Sequence, residues 1–388
     1  MSNGTSQRES LTLGELVKKS AMAALDLQRE DGSFPASHNG VYEEPETPVR
    51  TTSRWLTTLS KAYEITDDDR FFEAATAAAS YLTSSSVRPH GYTFHTRNAD
   101  GKDKCDGLVG QAAPIRSLAR AGVVLDRPDL IDVATEVFLL HPFNDELGLW
   151  EVVEIDGNRQ SFDRTLNHQV IFAAAGSLLI DNSQVVKRLV TQFLDSLENN
   201  IQTRTNGVIQ HYVRPPLRCV FTTVARTPRH WPLLWNEIAA RYRSLSPSFK
   251  LKEVGYHLTI LRALSRLSFE IPDHPVWKSN TIEYALRFTE SEQYEKQIQE
   301  EVSGYGSMVP GISHACIISI FENASTVDII PWIELDISRK YDPETGLLTR
   351  NAIDPMFQAS VVRSIAELLT IHSDSTATEV PITIRADK

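Results

Sequence analysis

A near-constant interval between glycines constrains this chain more than any other feature. Gly32, Gly91, Gly148 and Gly207 lie 59, 57 and 59 residues apart. Each adjoins an apolar or aromatic residue, in Asp31-Gly32-Ser33-Phe34, His90-Gly91-Tyr92-Thr93-Phe94, Leu147-Gly148-Leu149-Trp150 and Asn206-Gly207-Val208-Ile209. Ser303-Gly304-Tyr305-Gly306 and Thr345-Gly346-Leu347-Leu348 fit as irregular fifth and sixth members. A fixed period of this size marks a repeat architecture. Glycine supplies the φ > 0 turn that returns the chain, and the aromatic that follows is expected to point into a central ring.

Between the turns, apolar residues recur with helical spacing. Trp55, Leu56, Leu59, Ala62 and Tyr63 fall on one helix face, as do Phe71, Ala75, Ala78 and Leu82, then Val186, Leu189, Phe193 and Leu197. Thr12 and Glu15 have the spacing of a capping box. Strand candidates are short: residues 92–94, 149–153 and 208–213. Two helices and two loops per interval predict an all-α fold. The expected form is an (α/α)6 barrel, a toroid of helix hairpins with short β-turn elements at its inner loops; an open solenoid is the alternative. Residues 1–10 are read as a flexible N-terminus, 11–372 as one toroid domain and 373–388 as a polar tail. The stretch from Arg214 to Trp231 is read as a long loop over the ring's mouth.

Composition narrows the function. The net charge of −11 over 388 residues disfavours nucleic acid as a partner. Three cysteines, Cys105, Cys219 and Cys316, are widely spaced, which suits a reducing compartment and argues against a disulfide framework or a Cys-rich metal site. The polar N-terminus lacks a signal-peptide pattern, and no apolar run is long enough for a membrane span. A cytoplasmic enzyme is expected. No phosphate-binding loop, dinucleotide fingerprint, zincin or nucleophile-elbow pattern occurs, so neither cofactor nor metal is expected.

Polar clusters gather where helices open. In Asp163-Arg164-Thr165-Leu166-Asn167-His168-Gln169, Asp163 or Thr165 can cap a helix whose first turn holds Asn167, His168 and Gln169. A helix N-terminus of this kind suits a sugar carboxylate or a phosphate. Asp106 in Asp106-Gly107-Leu108-Val109-Gly110-Gln111 is a second N-cap candidate, with Gln111 expected to face the interior. Glu146, Glu151 and Trp150 share an inner turn, where carboxylates could do acid–base work and the indole could stack on a sugar. His211 with Tyr212, His257, and Arg97 lie at further turns, and Arg54, Arg214, Arg218 and Arg226 could hold a carboxylate in fork geometry.

Asp106-Gly107-Leu108-Val109-Gly110-Gln111 and the 163–169 segment followed by Phe172-Ala173-Ala174 resemble the archaeal N-glycosylation cluster proteins, as does the Arg-Thr-Thr-Ser-Arg-Trp run at 50–55. Asp-Gly-Leu-x-Gly also occurs in unsaturated glucuronyl hydrolases and sugar epimerases on the same scaffold. The resemblance implies a cytoplasmic role in building the glycan of a surface-layer glycoprotein, by forming or processing a hexuronic acid unit. The substrate is then a uronic-acid-containing sugar or a lipid- or nucleotide-linked glycan, with glycosyltransferases as partners. For an enzyme on such a sugar, the residues themselves offer His168 or His211 as the base, withdrawing the proton next to the carboxylate, and Asp106 or Glu146 as the acid, a chemistry that serves isomerisation, epimerisation or elimination. Asn167, Gln169, Gln111, Arg164, Trp150, Tyr212, His257 and Arg97 are expected to bind the sugar. A glycoside hydrolase, or a non-catalytic glycan-binding partner, is the alternative.

Overall fold

The computed structural model describes residues 8–38, 42–227, 230–235, 242, 246–300, 309–352, 354–371, 378–379 and 381–385. The chain opens with β1 (Arg8–Thr12), α1 (Leu13–Leu25), α2 (Pro48–Thr66), α3 (Asp69–Thr83), α4 (Gly107–Val124) and α5 (Pro128–Leu140). A three-stranded antiparallel sheet follows, of β2 (Phe143–Asn144), β3 (Leu149–Val153) and β4 (Arg159–Phe162). Then come α6 (Leu166–Gly176), α7 (Gln184–Asn200), α8 (Leu217–Arg226) and α9 (Pro247–Glu270). The chain ends with α10 (Asn280–Thr289), α11 (Glu292–Glu300), α12 (Pro310–Phe321), α13 (Thr326–Lys340), α14 (Gln358–Ile371) and β5 (Pro381–Arg385).

Six helices form an inner ring. In the order α2, α4, α6, α9, α12, α14, each packs on the next, and α14 packs back on α2. The partner helices lie around them, α1 and α3 against α2, α5 against α4, α7 against α6 and α13 against α12. This is the (α/α)6 toroid, and the open solenoid is excluded by the α14–α2 contact. Burial follows position. Outer helix α7 buries Val186, Val190, Phe193, Leu194 and Leu197, one stripe at helical spacing, whereas ring helix α12 buries every residue from Pro310 to Ser319. The expected capping box opens α1, with Glu15 N–H donating to Thr12 and Thr12 N–H to the Glu15 carboxylate.

The repeated turns are as the spacing predicts. Gly32, Gly91, Gly148, Gly207 and Gly346 have φ of +83°, +76°, +65°, +91° and +70°. At Gly148 a Cβ would also lie 2.1 Å from Cβ of Ser196, so glycine is required twice over. The turn at 303–306 lies outside the described residues. After each glycine, a side chain of the next inner helix catches the backbone N–H two or three residues on. Phe34 donates to Thr52 Oγ1 (3.0 Å), Phe94 to Gln111 Oε1 (2.8 Å), Trp150 to Gln169 Oε1 (3.0 Å), Ile209 to His257 Nδ1 (3.1 Å) and Leu348 to Gln358 Oε1 (3.1 Å). A buried N–H without a partner is costly, and this clamp supplies one to each turn.

Several expectations change. Phe34, Phe94 and Trp150 do not point into the ring; they are buried in the layer between helices, Trp150 against Phe138, Phe143, Phe172 and Phe193. Of the strand candidates only 149–153 forms a strand; Ile209 and Tyr212 make isolated bridges to Thr203 and Thr165. The stretch read as a long loop contains helix α8. Residues 8–12 and 381–385, in or beside segments expected to hang loose, pair as an antiparallel ribbon.

Two outcomes follow from this packing. Gln169→Ala leaves both backbone groups of Trp150 unpaired and should destabilise the fold by about 2–4 kcal/mol, read as a fall in Tm; unchanged stability would show that the clamp is dispensable. Burial lowers the histidines at 141 and 314 to about 4 and those at 211 and 257 to about 3. The unfolded chain therefore takes up protons that the folded one refuses below about pH 6.5. Stability should be fully present above that pH and fall as pH drops toward 4, by on the order of 1 kcal/mol per pH unit for each histidine. A Tm that is flat from pH 7 to pH 4.5 would contradict this.

Candidate functional site

The ring encloses a chamber of about 510 Å³. Its lining follows the clamp register. Counting from the clamp residue of each helix (Thr52, Gln111, Gln169, His257 and Gln358), the wall is made by residues near −2 and at +2, +5 and +9. These positions recur at about one helical turn, so one face of each helix looks inward. The layer nearest the inner loops holds Arg50, Asn167, His168 and Tyr256, with Asp106, Arg97 and His211 from the loops. The +2 layer carries Arg54 with small or apolar side chains. The +5 layer has arginine on three helices, Arg116, Arg262 and Arg363, and the +9 layer holds Glu367.

At the loop end His168 and Asp163 form a dyad, Nδ1 to Oδ2, 2.8 Å. Asp163 also accepts the backbone N–H groups of Thr165 (3.1 Å) and Leu108 (3.4 Å). Burial opposes its ionisation, but the His168 imidazole and these hydrogen bonds outweigh that and hold the carboxyl below its usual range. With Nδ1 engaged, Nε2 is the nitrogen that His168 offers to the chamber. His211 is buried and packs against Tyr256, and its Nδ1 meets no partner among the described residues. Burial, reinforced by Lys252 and His168, pushes it down to about 3, so it is a neutral imidazole at physiological pH.

Asp106 reaches the chamber but does not cap α4 with its side chain. Its backbone sits in the left-handed region at φ +55°, and its two oxygens are bound by Arg50 and Arg97. Arg50 also binds Glu46, and Arg97 reaches Asp103 at 3.1 Å and Glu44 at 3.4 Å. Charges here are matched within the wall, so Asp106 is an ion-pair anchor rather than the expected proton donor. Asp103, Cys105 and Glu154 bring ligand-type atoms within 4.8 Å of one another. Burial and the flanking carboxylates hold the thiol protonated, while Asp103 accepts from Gly107 N–H (2.9 Å) and Glu154 from Lys104 N–H (2.8 Å). The cluster is accounted for as a brace under Asp106.

Of the expected site residues, His168, His211, Asp106, Asn167 and Arg97 meet at the chamber. The rest are placed elsewhere. Gln111 and Gln169 spend both ends of their amides on the clamp, donating also to the carbonyls of Cys105 (2.8 Å) and Asp163 (2.9 Å). They set the loops that carry Asp106 and Asp163 without facing a ligand. His257 is a clamp as well, and Trp150 is core. Tyr212 stacks on Phe249. Arg164 is buried, directed at the carbonyls of Val213 and Leu233. Glu146 pairs with Arg226 away from the chamber, and Glu151 is bound by Arg159 at 3.0 Å.

The arginines of the +5 layer were not anticipated. Arg116, Arg262 and Arg363 converge on Glu367 at 3.1, 3.0 and 2.7 Å. Burial works against the Glu367 charge, but the surrounding guanidiniums hold its carboxyl far below the usual range. The sequence did contain a signal, since all three arginines stand five residues after a clamp residue.

No protein-family model matches the chain. Among solved structures, a sugar epimerase from a ruminal bacterium superposes with a TM-score of 0.62, at 10% identity, covering 92% of this chain and 98% of that one. D-mannose isomerase gives 0.58 at 10% identity, covering 92% and 97%. An unsaturated glucuronyl hydrolase specific for heparin gives 0.58 at 11% identity, covering 97% and 99%. These show a shared fold. Archaeal glycosylation protein Q of Haloferax volcanii is 40% identical over 353 residues, 90% of this chain and 95% of that protein. With that identity over nearly the whole of both chains, the chain belongs to the archaeal glycosylation protein Q family.

Proposed function

We propose that the protein is a sugar isomerase or epimerase of glycan assembly that acts on a hexuronic acid unit by acid–base catalysis. The observation that carries this reading is the Asp163–His168 dyad facing the same chamber as the neutral His211. His168 Nε2 takes the proton from the carbon beside the sugar carbonyl. The electron pair moves to the carbonyl oxygen, giving an enediolate, and Asp163 stabilises the imidazolium that forms. His211 acts as a neutral imidazole that hydrogen-bonds the developing oxygen, a role that needs no cationic histidine. Return of the proton to the neighbouring carbon, with the hydroxyl proton passing to the enediolate oxygen, is isomerisation; epimerisation needs a proton delivered to the same carbon from the opposite face, by a group other than His168. Asn167 lines the same wall, with a buried Oδ1 that meets no partner among the described residues, and is placed to bind a sugar hydroxyl.

The relative's name supports a place in glycosylation. Among the described residues no helix is long and apolar enough to cross a membrane. We place the activity in the cytoplasm, on a free uronic-acid-containing sugar whose C1 carbonyl is exposed on ring opening, upstream of glycosyltransferases that build a surface-layer glycan; a nucleotide or lipid carrier at C1 would remove that carbonyl. A hydrolase would need two available carboxyls about 5–10 Å apart. The carboxylates of the wall, Glu44, Asp106 and Glu367, are all engaged by cationic side chains, which favours the proton-transfer reading.

Incubation with a hexuronic acid in D2O should incorporate deuterium at carbon, followed by NMR. His168→Ala should slow this by roughly 10²–10⁴-fold, and Asp163→Asn should slow it while leaving sugar binding intact. A wild-type protein that leaves all carbon-bound protons in place, or a fully active His168→Ala, would contradict the reading.

A further inference from the structure

The chamber floor is out of electrostatic balance. Three guanidiniums, of Arg116, Arg262 and Arg363, line it, with Arg54 one turn nearer the loops, and Glu367 alone among the described carboxylates pairs with the three. Arg54 pairs with no carboxylate among the described residues; it lies over the Phe357 ring at 4.7 Å and donates to Ser37 Oγ at 3.3 Å. The neighbouring arginines at this end are spoken for, Arg266 by Glu270 and Arg120 by Glu64. This excess of positive charge sits inside a protein whose net charge is −11. Buried cations are ordinarily matched by an anion. Burial lowers Arg54 to about 10, with Glu46 and Asp354 opposing the shift and Arg50 and Arg363 adding to it, and burial with repulsion from Arg116 lowers Arg363 to about 9.

We infer that the floor is an oxyanion subsite that takes the carboxylate of the sugar substrate and orients the ring between floor and histidines. The inference rests on the proton-transfer reading for its orientation and stands without it as a binding site. Guanidinium forks match carboxylate geometry with paired hydrogen bonds. Depth fits as well. His168 is at −1 in the clamp register and the three arginines at +5, a separation of about 9 Å along the helix axes. The three guanidiniums gather on Glu367 at +9, so the sugar spans the separation between the two levels in extended form, with His168 and His211 reaching in from the loop end. In a hexuronic acid the carboxyl carbon and the carbonyl carbon lie at opposite ends. Seating the carboxylate on the floor therefore presents the carbonyl end to His168 and His211, and the reaction is at C1–C2 rather than beside the carboxylate.

Calorimetric binding of glucuronate, glucose and glucose 6-phosphate tests this without turnover, using the His168→Ala protein as well as the wild type. Both proteins should bind glucuronate at least tenfold more tightly than glucose. Arg116→Met should lose most of that preference while its Tm holds or rises, because one of several repelling charges is gone; Arg262→Met serves if the first variant does not fold. Equal binding of glucuronate and glucose, or an undiminished preference in the folded variants, would overturn the subsite. Tighter binding of glucose 6-phosphate than glucuronate would overturn the carboxylate assignment. Preferential glucuronate binding without deuterium exchange would sink the isomerase reading and leave the subsite standing.

Discussion

The hydrogen bond from each glycine turn to the next inner helix fixes everything that follows. It ties an irregular, buried stretch of backbone to a defined position on a helix. Thr, Gln and His all serve, because the requirement is only an acceptor of the right reach. Two of the clamps do more. The amides of Gln111 and Gln169 also bind the carbonyls of Cys105 and Asp163, so they set the loops from which Asp106 and Asp163 project. Fold and site are thus linked through the same few buried polar groups.

Because the clamp sets the register, it also decides which residues line the chamber. Charge is distributed unevenly along that wall. Near the loops, carboxylates and arginines are matched: Asp106 with Arg50 and Arg97, Glu46 with Arg50, and Asp163 with His168. At the floor, arginines outnumber the carboxylate they share. The matched end holds two imidazoles, His168 hydrogen-bonded to a carboxylate and His211 buried against Tyr256. The other end carries an excess of positive charge, a field that favours anions.

Much of the fold was legible in the sequence. The interval between glycines is a backbone property, and the five described turns all adopt the left-handed conformation that the interval implied. The dyad residue His168 was legible because polar residues opening an apolar helix are unusual. Other readings failed for physical reasons. Gln111, Gln169 and His257 look like ligand binders, yet buried turn amides needed them first. Trp150 follows a glycine turn, yet its indole is buried between helices against Phe138, Phe143, Phe172 and Phe193. Glu146 shares a turn with a buried tryptophan but faces Arg226. The arginine floor stayed hidden because three helices far apart in sequence contribute it, and its convergence appears only once the ring is closed.

The claim at the centre of this account is that one chamber binds an acidic sugar with its carboxylate on the arginines and its carbonyl end at the histidines. A crystal structure of the His168→Ala protein soaked with glucuronate tests it most directly. The account predicts the carboxylate among Arg116, Arg262 and Arg363, with C1 and C2 beside His211 and the vacated position of residue 168. A sugar bound with its carboxylate at the loop end, or bound outside the ring, would contradict it.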